Sequence, residues 1–118
     1  MGSILVIDDE KLVLNVIETA LTSFGYDVEI ANDGNEGIRK YDKGIFDLVI
    51  TDLIMPNIDG IGVIRHIRNS QRRGTPIIGI SGTPWVLEGS TVDSVLTKPF
   101  PLKVLLDTVE YLAPSAAN

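Results

Sequence analysis

Short apolar runs alternate with stretches of helical periodicity along this chain. Four runs predict strands, at residues 4–7, 48–50, 77–80 and 94–97. A fifth stretch, in which Val28 and Ile30 alternate with acidic residues, predicts a half-exposed edge strand. Because strands and helices alternate, we expect an α/β fold with five parallel strands, right-handed crossovers and helices on both faces of the sheet.

The segments between the predicted strands carry apolar residues at helical spacing, which is typical of helices that bury one face. In the first helix we expect that face to hold Leu12, Val13, Val16, Ile17, Ala20, Leu21 and Phe24; in the later helices it holds Ile38 and Tyr41, then Ile61, Ile64 and Ile67, and finally Leu102, Leu105, Val109 and Leu112. The third helix is expected to continue to Gly74. Between residues 83 and 90, Pro84 and Gly89 leave room for at most two helical turns.

A length of 118 residues fits one domain with one core, so we assign residues 1–118 to a single domain. Residues 1–3 are compatible with a cloning remnant, and residues 113–118 with a tail or the start of a linker. The sequence has no export signal, no cysteine and no apolar stretch near the roughly 20 residues that cross a bilayer. We therefore expect a cytoplasmic protein that does not use a membrane or disulfides.

The formal net charge of −6 argues against a nucleic-acid-binding surface, which needs a basic face. The basic cluster of Arg65, His66, Arg68, Arg72 and Arg73 falls in the last part of the predicted third helix. Cations there complement the helix dipole. We interpret the cluster as a solvated helix face and expect no direct contact between this domain and nucleic acid.

Polar residues stand where the buried strands end. They are Asp8 and Asp9 after the first strand, Asp52 after the third, Ser81 after the fourth and Lys98 after the fifth. In open parallel sheets, ligands bind just beyond the carboxyl ends of the strands, so we expect these side chains to gather at one edge. For Asp52 taken alone, a helix N-cap or loop role fits equally well.

Carboxylates brought this close repel one another unless a cation neutralises them. Oxygen ligands without His or Cys suit Mg²⁺ and make zinc a poor fit. With the ion present, a carboxylate can attack a phosphoryl donor to form an acyl phosphate, while a lysine and a hydroxyl bind the transferred oxygens. Asp52, Lys98 and Ser81 are the candidates for these three roles.

Four motifs make the chain resemble the receiver domain of two-component response regulators over essentially its whole length. They are ILVIDDE near the start, LVITDLIMPNIDG in the middle, then IIGISG, and LTKPF near the end. Each is common alone, whereas their joint order and spacing are specific. The resemblance implies a chemotaxis-regulator-like fold, a three-layer, doubly wound, flavodoxin-like sheet of five parallel strands in the order 2-1-3-4-5.

The resemblance also implies a role for each site residue. Asp52 would accept the phosphoryl group, Lys98 would pair with that group and Ser81 would hydrogen-bond it. The implied cofactor is Mg²⁺, and its ligands would be Asp9, Asp52 and the backbone carbonyl of Ile54, with Asp8 acting mostly through a metal-bound water.

Other positions are assigned to structure. The resemblance implies a cis peptide bond before Pro99. Asn32, Glu10 and Asp59 are interpreted as cap, helix-start and turn residues rather than as catalytic ones.

The implied function is phosphorelay signal transduction. Asp52 would take a phosphoryl group from a histidine kinase or phosphotransfer protein and thereby switch the binding of a downstream partner that the sequence does not identify. The domain would not be an enzyme, beyond self-catalysed phosphorylation and dephosphorylation.

Two features depart from the family pattern. Ser81 and Lys98 are 17 positions apart, several fewer than is usual, so we expect the fourth helix to be short or missing. Val95 stands where relatives commonly carry Tyr or Phe, and its short, stiff side chain can expose or bury little surface. We therefore expect residues 83–90 to become ordered on phosphorylation, in place of a rotamer switch.

Two other classes of protein share parts of this pattern. A Mg²⁺-dependent phosphohydrolase of the haloacid dehalogenase type also uses a strand-end aspartate, but it carries a second Asp two positions later, where this chain has Ile54. A flavodoxin-like module that binds a nucleotide or flavin needs a glycine-rich phosphate loop after the first strand. Here Asp8, Asp9 and Glu10 would repel an anion at that place.

Overall fold

Five strands form one parallel sheet in the computed structural model, which describes residues 2–55, 59–82 and 91–114. The strands are β1 (Ser3–Ile7), β2 (Asp27–Ala31), β3 (Leu48–Asp52), β4 (Ile77–Ser81) and β5 (Ser94–Thr97). Their order across the sheet is β2-β1-β3-β4-β5, and every neighbouring pair runs parallel. The predicted doubly wound, flavodoxin-like fold is confirmed.

Four helices among the described residues cover the two faces of the sheet. They are α1 (Lys11–Ser23), α2 (Gly34–Lys43), α3 (Gly60–Arg68) and α4 (Leu102–Leu112). Alternate residues of β1 divide between two cores, because side chains point to opposite faces of a strand. Ile4 and Val6 pack in the core that receives α1 and α4, whereas Leu5 and Ile7 pack in the core that receives α2 and α3.

The strands β3 and β4 are buried along their whole length, while β2 alternates between exposed and half-buried residues before its buried last residue, Ala31. This difference confirms that β2 is an edge strand and that the Asp52 strand is central. The expectations of a short or missing fourth helix and of ordering on phosphorylation concern residues 83–90, which lie outside the described residues. Within the described part of the chain, no helix is both long and apolar enough to cross a membrane.

The apolar face predicted for α1 is partly wrong. Leu14, Ile17 and Leu21 are the buried residues of this helix, whereas Leu12 and Val16 are exposed. At about 100° per residue, Leu12 and Val16 lie about 160° and 200° around the helix from Leu14, so they point away from the sheet. The helix therefore buries one face and leaves a second apolar face in solvent.

The third helix ends earlier than predicted, at Arg68 rather than Gly74. The residues that follow form turns, and two of the cluster's cations, Arg68 and Arg72, bind backbone carbonyls, whereas Arg65 and Arg73 are exposed. Arg68 Nη1 donates to Thr75 O at 2.7 Å and to Arg73 O at 2.6 Å, and Arg72 donates to Gly44 O while its guanidinium lies over the ring of Tyr41. Arg68 and Arg72 thus hold the connection between α3 and β4, so the interpretation of the cluster as a solvated face is wrong for these two residues.

A close backbone approach fixes the start of α3 against the end of β3. A Cβ built on Gly60 would lie 2.1 Å from Asp52 O and 2.6 Å from Leu53 Cα, so neither neighbour is a side chain that could move aside. The Gly60 N–H also donates to Leu53 O at 3.2 Å. Glycine is therefore required at position 60, directly behind the residue that ends β3.

We predict that Gly60→Ala lowers the free energy of unfolding by about 2–4 kcal/mol, because the added methyl group overlaps backbone atoms. Gly74→Ala is the matched control, since a Cβ at Gly74 meets nothing within 4 Å. Urea unfolding should show a change of less than about 1 kcal/mol for this control. Equal effects of the two substitutions would contradict the close approach.

Candidate functional site

Parallel strand ends bring five polar side chains to the carboxyl edge of the sheet. The register places Ile7 opposite Thr51, Asp52 opposite Ile80, and Ser81 opposite Thr97. The residues at or just beyond these positions are Asp8, Glu10, Asp52, Ser81 and Lys98. Because β1 and β3 are neighbours, Asp8, which follows β1, and Asp52, which ends β3, have carboxylate oxygens within 4.8 Å of each other.

The ammonium group of Lys98 is placed among three carboxylates. Lys98 Nζ donates to Glu10 Oε1 at 2.8 Å and to Asp52 Oδ2 at 3.3 Å, and it lies 3.6 Å from Asp8 Oδ2. One carboxylate oxygen of each acid lies within 4.8 Å of the others. A single positive charge thus faces three negative ones, which leaves this group of residues with an excess of negative charge.

Asp8 is the most buried member of the group, with 1% of its surface exposed. Burial raises the pKa of its carboxyl to about 6, and the nearby Asp52 charge adds to the rise, against the opposing effects of the Glu10 N–H and Lys98. Asp8 Oδ1 accepts the Glu10 N–H at 2.8 Å. Asp8 Oδ2 has no hydrogen-bond partner among the described residues.

Lys98 stays protonated in this environment. Burial alone would lower its pKa, but the hydrogen bond with Glu10 and the charges of Asp8 and Asp52 outweigh burial and raise the pKa above its ordinary value. The Lys98 N–H donates to Ser81 O at 2.9 Å, which fixes the backbone at the end of β5. The cis peptide bond predicted before Pro99 is confirmed.

Asp52 is buried at the end of β3, with 8% of its side chain exposed. Its Oδ1 accepts the Ile54 N–H at 3.3 Å, so the chain turns around the carboxylate as it leaves the strand. Ser81 is buried at the end of the neighbouring β4. Asp52 is not a helix N-cap; that position on α3 belongs to Asp59, whose Oδ1 accepts the Gly62 N–H at 3.1 Å.

The structure separates the two acids that the sequence made neighbours. Asp8 joins the buried group, whereas Asp9 is exposed and lies outside the three carboxylates that come together. Glu10, interpreted from the sequence as a helix-start residue, is the third member of the group. The run of three acids after β1 was the sequence signal that could have indicated Glu10 as a member of the group.

The N-cap residue of α2 is Asp33 rather than Asn32. The backbone N–H of Asn32 donates to Glu36 Oε1.

The donor atoms fit a hard divalent cation. All three side chains offer oxygen, and the buried Asp8 Oδ2 lacks the hydrogen bond that a buried carboxylate oxygen normally has. A cation would supply the missing partner and offset the excess negative charge. The group can therefore hold a metal ion beside the Asp52 carboxylate.

Comparisons with known proteins agree with this arrangement. A sequence profile of the response regulator receiver domain matches residues 4–110. The transcriptional regulatory protein TrcR of Mycobacterium tuberculosis is 35% identical over 108 residues, which are 87% of this chain and 42% of TrcR. The chain spans about half the length of the curated relatives it matches.

Solved structures with the same fold extend over nearly the whole chain. The chemotaxis response regulator CheY4 of Vibrio cholerae superposes with a TM-score of 0.88 and 29% identity, over 95% of this chain and 98% of CheY4. The response regulator TrrA of Thermotoga maritima, in complex with Mg²⁺-BeF, gives a TM-score of 0.87 and 30% identity, over 95% of this chain and 99% of TrrA.

The raised pKa of Asp8 predicts a pH-dependent cost to stability when divalent cations are absent. The pKa of Asp8 is about 6 in the folded state and 3.8 in the unfolded state. Its contribution to stability is therefore fully present below pH 3.8 and is lost as pH rises through about 6. Asp8→Asn keeps a side-chain oxygen that can accept the Glu10 N–H, but its amide cannot ionise. Relative to the parent, the variant's free energy of unfolding should therefore rise by about 2–3 kcal/mol between pH 4 and pH 7.

Urea unfolding in chelator at both pH values measures this difference. The matched control is Asp107→Asn, which removes an exposed carboxylate on α4. A pH-independent effect of Asp8→Asn would contradict the assignment of Asp8 as a carboxyl that burial holds partly protonated near pH 6.

Proposed function

The chain belongs to the response regulator receiver domain family, and we propose that it acts in phosphorelay signalling with Asp52 as the residue that accepts the phosphoryl group. The observation that carries this assignment is the contact of Lys98 Nζ with Asp52 Oδ2 at 3.3 Å, beside the orphaned Asp8 Oδ2. Asp52, the Lys98 ammonium group and a second carboxylate, Asp8, whose Oδ2 lacks a hydrogen bond among the described residues, therefore meet at the carboxyl edge of the sheet.

Transfer needs a nucleophile and groups that receive the phosphoryl oxygens. A carboxylate oxygen of Asp52 forms a bond to phosphorus while the bond between phosphorus and the donor atom breaks. Lys98 is already within reach of Asp52 and can pair with a phosphoryl oxygen. Ser81, at the end of the neighbouring strand, is the proposed hydroxyl partner of another oxygen.

We assign the metal site to Mg²⁺, with Asp9, Asp52 and the backbone carbonyl of Ile54 as ligands and Asp8 acting through water. When bound, the ion would neutralise charge on the transferring phosphoryl oxygens. The orphaned oxygen of Asp8 supports its role, whereas the role of the exposed Asp9 rests on the family resemblance. TrrA, a structural relative at 30% identity, was solved in complex with Mg²⁺-BeF, which supports the choice of ion.

Receiver domains are phosphoacceptor switches, and we propose that this one has no turnover of its own beyond self-catalysed phosphorylation and dephosphorylation. The described site holds no histidine, so its candidate proton-transfer groups are carboxylates and one lysine. Domains of this family accept phosphate from histidine kinases. We propose that this domain acts in the cytoplasm, that a histidine kinase or phosphotransfer protein is its donor, and that a downstream partner binds differently after phosphorylation.

The exposed second face of α1 offers a place for the donor to dock. Leu12 is 80% exposed and Val16 is 55% exposed, and they line an apolar groove of about 560 Å³ with Phe100 and Leu102. Lys98 lies at the same groove, so it connects the apolar surface to Asp52. A helical partner that covers Leu12 and Val16 would bring its phosphohistidine to the strand end.

We predict that Asp52 gains one phosphoryl group from acetyl phosphate only when Mg²⁺ is present, because the ion must offset the negative charge of the carboxylates. Intact-protein mass spectrometry measures the added mass, and peptide mapping places it. Asp52→Asn should gain nothing, while Asp47→Asn, an exposed aspartate at the opposite edge of the sheet, should behave like the parent. Phosphorylation of Asp52→Asn, or an unchanged yield in chelator, would overturn the assignment.

A second prediction separates docking from chemistry. Leu12→Ser and Val16→Ser should slow transfer from a phosphorylated histidine kinase about tenfold, because central apolar contacts dominate interfaces. The probes are the purified kinases of the source organism, tested one at a time. Phosphorylation by acetyl phosphate should be unchanged, since this donor needs no docking surface.

The matched control is Ile45→Ser. Ile45 is 79% exposed, like Leu12, but it precedes β3 and so lies at the amino edge of the sheet. Equal slowing by Ile45→Ser, or normal transfer to both α1 variants, would show that the donor binds elsewhere.

A further inference from the structure

Glu10 is placed at the start of α1 but does not act there as a cap. It occupies the N-cap position with extended backbone, φ −94° and ψ 108°, yet its side chain makes no cap hydrogen bond. Short acceptors such as Asp, Asn and Ser are preferred at this position because they reach the free N–H groups of the first turn. The Glu10 carboxylate instead accepts a hydrogen bond from Lys98, the residue that follows β5.

The contact with Glu10 is the shortest that Lys98 makes in the site. The distance is 2.8 Å to Glu10 Oε1, against 3.3 Å to Asp52 Oδ2 and 3.6 Å to Asp8 Oδ2. Glu10 is 60% exposed at its side chain, whereas the side chains of Asp8 and Asp52 are buried. Glu10 therefore draws the ammonium group towards the solvent side of the two buried acids.

This arrangement sets up a competition. The inference rests on the proposed function of Asp52. A phosphoryl group on Asp52 would add oxygens that also bind the Lys98 ammonium group. A contact that exists only before phosphorylation stabilises the unphosphorylated state, and a ligand shifts the balance only by its differential affinity.

We propose that Glu10 is a positioning residue that holds Lys98 in the unphosphorylated protein and must release it when Asp52 is phosphorylated. Glu10 thereby sets how tightly the site retains a phosphoryl group. Weakening the contact should favour the phosphorylated state, although the site loses an ion pair.

The test uses Glu10→Asp, which keeps the charge and removes one methylene group. Aspartate is a preferred N-cap residue, so the shorter carboxylate should bind the first turn of α1 and release Lys98. The probe is beryllofluoride, a phosphoryl mimic, at saturating Mg²⁺, and ¹⁹F NMR measures its affinity. We expect about threefold tighter binding, in keeping with a partly exposed ion pair.

The same substitution in a Lys98→Ala background isolates the contact from charge. Glu10→Asp leaves the net charge unchanged in both backgrounds. The proposal therefore requires that the effect of Glu10→Asp on beryllofluoride affinity vanish when Lys98 is absent. If Lys98→Ala proteins bind no beryllofluoride, the initial rate of Asp52 phosphorylation by acetyl phosphate replaces the affinity, with the same expectation. Glu18→Asp, further along α1, is the matched control and should have no effect in either background.

Unchanged binding by Glu10→Asp, or an equal change with and without Lys98, would overturn the role of Glu10. These results differ from a failure of the proposed function. In that case the parent would bind no beryllofluoride, or Asp52→Asn would bind it as well as the parent. Thermal unfolding of each variant separates a cap effect on stability from a change in affinity.

Discussion

The carboxyl edge of this sheet depends on one ammonium group held among three carboxylates. Lys98 contacts Glu10 and Asp52 and lies near Asp8, so only part of the negative charge is offset. Removing a carboxylate from water is costly unless it is paired, and the raised pKa of Asp8 records that cost. The fold tolerates this arrangement because the backbone at each strand end is fixed independently of the charges. The Lys98 N–H binds Ser81 O, and the Leu53 N–H binds Ile80 O.

The two cores supply the rigidity that such a site needs. The alternating residues of β1 are anchored on both faces, which holds Asp8 at a fixed height relative to Asp52. Gly60 lets α3 approach the backbone of Asp52 more closely than any side chain would allow. Arg68 and Arg72 tie the loop before β4 through backbone carbonyls at the opposite edge. The two cores and these backbone contacts therefore stabilise the fold despite the repulsion between carboxylates at the carboxyl edge.

The strand ends were predictable from the sequence, because an apolar run followed by a polar residue indicates both the strand and the edge of the sheet at which that residue lies. Asp8, Asp52 and Lys98 meet as expected for this reason. The role of Glu10 was not predictable, since it depends on whether a side chain turns back to cap α1 or reaches across to β5. The exposed face of α1 was missed because helical spacing alone does not say which of two apolar faces meets the sheet. Arg68 and Arg72 were misread for a similar reason, as their carbonyl partners lie in turns that periodicity does not describe.

The central claim is that the carboxylate group is a cation site whose unfavourable charge an ion relieves. Thermal unfolding at pH 7 with and without Mg²⁺ tests this most directly, before any phosphoryl donor is added. Binding to the folded state alone adds about 2.7 kcal/mol of stability when the free ion is at a hundredfold excess over Kd. The account predicts a clear rise in Tm for the parent protein and little or none for Asp52→Asn. No rise in the parent, or an equal rise in Asp52→Asn, would contradict it.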